Sequence, residues 1–101
     1  MQNKIKWGRL KRIAQKISGK NVDIYGSTRM SPEIRSAVEF NGGRADIGIN
    51  LKQVKNVQEV IEALAHELAH VVLGDSAHTE EHKKKWRELT DKIKVKYEEE
   101  E

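Results

Sequence analysis

Apolar positions recur along this chain first with the period of a helix, then of strands, then of helices again. Trp7, Leu10, Ile13, Ala14 and Ile17 lie at helical spacing, with Asn3 as a cap and Gly19 as a stop. They predict a first helix over roughly 4–18. Val22 and Ile24 alternate with Asp23 and Tyr25 ahead of Gly26-Ser27, a short strand before a loop, and Ser31-Pro32 marks a turn. Ile34, Ser36, Val38 and Phe40 then share one parity while Arg35 and Glu39 hold the other, as in a half-buried strand. Asn41-Gly42-Gly43 is a hairpin signal, after which Ala45, Ile47 and Ile49 resume the alternation against Arg44, Asp46 and Gly48. The middle of the chain therefore reads as a small, three-stranded, mainly antiparallel sheet.

Asn56 followed by Glu59 resembles a capping box. Val57, Val60, Ile61, Leu64, Leu68 and Val72 then form the buried stripe of a second helix, which Gly74 ends. After a short loop, Asp75-Ser76-Ala77-His78, Thr79 is placed to cap a third helix running to about Tyr97. Glu80 and Glu81 sit in its first turn, where they suit the helix dipole. The expected fold is α+β: an N-terminal helix, three strands and two further helices. One domain spans 1–101, with 94–101 as a charged C-terminal tail and a candidate regulatory segment.

Composition narrows the chemistry. A chain of 101 residues buries only about 60–65% of the surface its unfolded form exposes, so its core is modest. It has no cysteine, which excludes disulfides, thiolate zinc sites and thiol nucleophiles together. No apolar run approaches the roughly 18–20 residues that span a bilayer, and Met1 leads into Asn3-Lys4-Ile5-Lys6 without a signal-peptide pattern. The expectation is a soluble, cytoplasmic protein with no membrane span. Net charge is +3, but it is unevenly spread. Lys4, Lys6, Arg9, Lys11, Arg12, Lys16 and Lys20 fall in the first helix region with no acid among them, and Glu98 to Glu101 are all acidic. The basic run reads as the solvated face of an amphipathic helix. Its rival reading is a patch for nucleic acid, which is less favoured because only Trp7 could stack there.

The chemistry concentrates in four histidines at 66, 70, 78 and 82. His66-Glu67-Leu68-Ala69-His70 is an H-E-x-x-H motif in mid-helix. Residues i and i+4 are neighbours on a helix surface, so both imidazoles can face one metal ion. Glu67 is rotated from His66 by about 100° and can reach a metal-bound water without being a ligand. Ala63, Ala65 and Ala69 leave the surroundings uncrowded. A catalytic zinc site takes three protein ligands and keeps one position open. The candidates for the third ligand are His82, His78, Glu81 and Glu80. His82, Trp86, Leu89, Ile93 and Tyr97 share one helical stripe, which carries His82 inward and favours it. His78, in the loop, can ligate or orient substrate.

These residues resemble two known groups. The H-E-x-x-H helix, the short Gly74 turn, and His82 followed by Trp86 are similar to the minigluzincins, small zinc peptidases with a histidine third ligand. The His-x-x-x-Trp step is also similar to the third-ligand segment of SprT-type peptidases, which cleave DNA-bound proteins. The resemblance implies a minimal zincin-like metallopeptidase with Zn2+ at His66, His70 and His82 and Glu67 as catalytic base. It implies a peptide or protein substrate, with zinc polarising the scissile carbonyl and activating water. It supplies no oxyanion-stabilising tyrosine or histidine downstream, for which His78 is the substitute. Substrate would add as a strand along an exposed sheet edge, with Arg44 to Asn50 the expected segment. Three further expectations remain. The zinc could be structural in a nucleic-acid-binding module. The C-terminal segment could block the cleft in a latent enzyme. It could also exchange between molecules of an oligomer.

Overall fold

The computed structural model describes residues 5–74 and 78–99. Asn3 and Lys4, the loop residues Asp75, Ser76 and Ala77, and the terminal Glu100 and Glu101 lie outside the described residues. The chain order is α1 (Trp7–Ser18), β1 (Val22–Ser27), β2 (Ser36–Asn41), β3 (Arg44–Asn50), α2 (Val57–Leu73) and α3 (Glu80–Glu99). All six expected elements are present.

The strands make one sheet in the order β1-β3-β2. β2 and β3 form the expected antiparallel hairpin across Gly42-Gly43, while β1 pairs with the other edge of β3 in parallel. The sheet is therefore mixed. Its register explains the alternation: Val22 stands beside Ala45 and Ile24 beside Ile47, so the apolar parity of both strands falls on one face. α1 and α2 cover that face, and α3 packs behind them against both helices. On the opposite face Tyr25 lies over Gly48, where a Cβ would come within 2.8 Å of its ring.

The helices end where local chemistry says they should. The Asn56 side chain accepts a hydrogen bond from the Glu59 backbone N–H at 2.9 Å, and Thr79 Oγ1 accepts one from His82 N–H at 3.2 Å. α1 begins at Trp7 without a side-chain cap. α2 is buried on nearly every side because it lies between the sheet and α3. Val60, Ile61, Leu64 and Leu68 join Leu10, Ile13, Ile47, Ile49, Leu89 and Ile93 in the core. Ala63, Ala65 and Ala69 are themselves buried there.

The segment expected as a charged tail is helical through Glu99, as the last turns of α3. It lies on α1: Lys6 N–H donates to the Tyr97 hydroxyl at 3.3 Å, and Arg9 donates to the Tyr97 carbonyl at 3.1 Å. Arg9 also stands over the Tyr97 ring, and Lys11 pairs with Asp23 at 3.4 Å. Arg9 and Lys11 of the basic α1 run thus serve internal contacts.

Asn50 is fully buried and clamps the segment leading into β2. Its amide donates to Ser31 O at 3.1 Å and Ile34 O at 2.6 Å, its oxygen accepts from Lys52 N–H at 3.0 Å, and its own N–H bonds Arg35 O at 2.8 Å. Asn50→Leu should strand two carbonyls and cost about 2 kcal/mol or more, read as a lower urea midpoint. An unchanged midpoint would show that this clamp contributes nothing.

Candidate metal centre

α2 brings His66, Glu67 and His70 to the side of the helix that faces β2 and the start of α3. His66 and His70 sit one turn apart, with ring centroids 5.2 Å from each other. α3 contributes His82, whose ring lies 4.8 Å from that of His66 and 4.1 Å from that of His70. One ring nitrogen from each of the three falls within 4.8 Å of the others, close enough to share a metal ion. His70 and His82 are buried, and His66 is partly exposed.

Hydrogen bonds orient the rings. His82 Nε2 lies 3.1 Å from His66 O and donates to that carbonyl, which leaves Nδ1 to a metal. His66 Nδ1 lies 3.1 Å from Glu67 Oε2 and donates to it, which leaves Nε2 to a metal. A ligand imidazole held through its other nitrogen is the usual second layer of a metal site. Trp86, one turn along α3 from His82, donates from its indole N–H to Glu62 O at 2.9 Å. It meets the His66 ring edge-on at 4.8 Å. Burial pushes the His82 pKa below its ordinary 6.5, against the raising effect of the His66 carbonyl. The neutral imidazole this favours is the form that binds metal. The donor set therefore fits a metal ion of the kind that takes nitrogen ligands.

Glu67 is buried, and its Oε2 also accepts a hydrogen bond from Ser36 Oγ at 2.8 Å. Ser36 opens β2. The alternation places it in a strand and gives it no role, although one polar residue on the parity of Ile34, Val38 and Phe40 is a visible signal. A cleft of about 620 Å³ runs between β2 and the histidines, lined by Ser36, Val38, Phe40, Glu67 and His78 among others. Beyond Glu67 a second hollow of about 410 Å³ continues past Ile34, Arg35 and Trp86. Ser36, His66 and Glu67 line both, so the centre sits in the middle of a groove.

The structure relocates the expected substrate edge. Arg44 to Asn50 is β3, the central strand, with both edges already paired. The unpaired edge beside the histidines belongs to β2. Glu80 and Glu81 are exposed in the first turn of α3, and neither belongs to the three-histidine cluster.

No helix among the described residues is long and apolar enough to cross a membrane. The profile of the SprT-like family matches residues 1–100. No curated protein and no solved structure matches the chain.

The depressed His82 pKa carries a sign. The unfolded chain takes up this proton before the folded one, so the metal-free protein loses stability as pH falls through 6.5 toward the lower folded value. Urea midpoints of chelator-treated protein should fall between about pH 7 and pH 5. The fall should be shallower in His82→Gln; an equal fall in both proteins would remove His82 as its source.

Proposed function

The chain belongs to the SprT-like family, and on that premise we propose that it is a zinc-dependent metallopeptidase that cleaves peptide bonds. The observation that carries this reading is a three-histidine donor set with a buried carboxylate beside it, open to a groove. His66, His70 and His82 would hold the metal. Bound zinc supplies Lewis-acid chemistry, polarising a scissile carbonyl and making water acidic enough to ionise near neutral pH.

The remaining steps belong to the chain's own residues. Ser36 and His66 hold Glu67 through Oε2, which leaves Oε1 to accept the proton of the attacking water. The same carboxyl group then returns that proton to the leaving amine. The substrate backbone would lie along the free edge of β2, as an added strand, with Val38 and Phe40 flanking the reacting bond. Phe40 is 63% exposed, a large apolar surface facing the groove.

This reading gives the presence of Glu67 a purpose that a purely structural zinc site lacks. A latent form closed by the C-terminal segment would require the last turns of α3 to leave their contacts on α1. Nucleic-acid binding through α1 would depend on Lys11, Arg12 and Lys16, the exposed cations of that helix, with Lys6 and Lys20 flanking it.

Purified protein should contain near-stoichiometric zinc, and His82→Ala should lose it. Glu67→Gln should keep the metal while peptide hydrolysis drops about 100-fold or more. Undiminished hydrolysis in Glu67→Gln would remove the assigned base.

A further inference from the structure

The groove has two arms of different chemistry, which meet at Ser36 and Glu67. Ser36, Val38 and Phe40 share the parity of β2 that faces α2, so the strand leads from the buried carboxylate out along one arm. That arm is the cleft of about 620 Å³. Among the described residues that line it there is no lysine or arginine, and Glu67 is its one carboxylate. The other arm is ionic. Glu33, Arg35 and Glu62 line its hollow of about 410 Å³, and the Arg35 guanidinium stands 3.8 Å from Glu59 and 3.9 Å from Glu62.

Phe40 ends the uncharged arm. Register places it beside Ala45 of β3, whose methyl group is too small to cover a phenyl ring. Val38 packs against the core, whereas Phe40 stays 63% exposed. Its ring also walls the next hollow, of about 430 Å³, together with Ala45 and Val71. β2 itself carries none of the lysines or prolines that keep an edge strand from pairing. A strand added there sets alternate side chains opposite Ser36, Val38 and Phe40. The residue opposite Val38 then lies about 7 Å along from the one opposite Ser36, and the residue opposite Phe40 about 13 Å. A large side chain at the nearer place touches Val38 directly and reaches Phe40 on the diagonal.

We propose that the Phe40 arm is a side-chain subsite selecting a large apolar residue, aromatic or branched aliphatic, on one side only of the cleaved bond. Such a residue covers the exposed ring, whereas a charged one would lose water there and find no partner of opposite sign among the lysines and arginines. The opposite arm, with both signs of charge, makes no such demand. The inference rests on the peptidase reading above and deepens it by naming the kind of peptide the groove takes.

The test uses short fluorescent peptides that differ at one residue, which is phenylalanine, leucine, alanine, lysine or glutamate. Binding is read by anisotropy on the zinc-loaded Glu67→Gln chain, alone and combined with Phe40→Ala or Phe40→Leu. Cuts made by the zinc-loaded wild type are located by mass spectrometry, and far-UV circular dichroism confirms folding. The phenylalanine and leucine peptides should bind about tenfold or more tightly than the other three. Their cuts should fall at a fixed spacing from that residue. Phe40→Ala should bring the phenylalanine and alanine peptides to nearly equal affinity, and Phe40→Leu should keep most of the difference. Equal binding of all five peptides, or a preference that survives Phe40→Ala, would overturn the subsite. Selective binding with no hydrolysis by the wild type would sink the peptidase reading and leave the subsite standing.

Discussion

Everything at the centre depends on a polar cluster being carried into the interior by the most buried helix. α2 lies between the sheet and α3, so any side chain on it must be apolar or find a partner. Glu67 and His70 are both buried, and His82 from α3 is almost completely so. Burying unpartnered polar groups costs several kcal/mol each, by order of magnitude. The structure meets that demand locally: His82 bonds a carbonyl of α2, His66 bonds Glu67, and Glu67 bonds Ser36. Those contacts join α3, α2 and β2 at one point. A metal ion there would replace the staple that a cysteine-free chain of this size cannot make for itself.

The framework of the groove is built from the opposite direction, by a residue with no chemistry of its own. Asn50, at the end of β3, holds the backbone of residues 31–35 through its side chain and main chain. That segment runs directly into Ser36. The position of the serine hydroxyl against Glu67 is thus set by a buried amide on the neighbouring strand. Trp86 performs a similar service from α3, bridging to the α2 backbone and bracing His66.

The legible features were those that repeat. Helical stripes placed α1, α2 and α3, and strand alternation placed β1, β2 and β3, because burial on one face imposes the period. The three-histidine cluster was legible for the same reason, with His66 and His70 one turn apart and His82 on the core stripe of α3. What alternation does not encode is which strand neighbours which, or in which direction. Val22 and Ile24 satisfy the pattern equally well beside β2 or β3, parallel or antiparallel. The expectation of an open edge at Arg44 to Asn50 came with the family resemblance, and pairing puts β2 at that edge instead. Asn50 lies one residue beyond the apolar alternation, where nothing in the pattern marks a lone amide as buried. His78 falls between two helices, so no period places it, and only the structure shows its ring 5.0 to 5.3 Å from the other three.

β2 has six residues, Ser36 to Asn41. At about 3.3 Å per residue, such an edge spans roughly 20 Å. A chain that pairs with it must be extended over that whole length, with its own backbone amides and carbonyls released from any internal ladder or helix. Main-chain pairing of this kind is indifferent to most side chains. On the proposed reading, selection would fall on conformation: a tightly folded domain would be refused whatever its composition, while a frayed terminus, an unpaired loop or a damaged, partly unfolded protein would be admitted. Stability of the target, more than its sequence, would decide its fate.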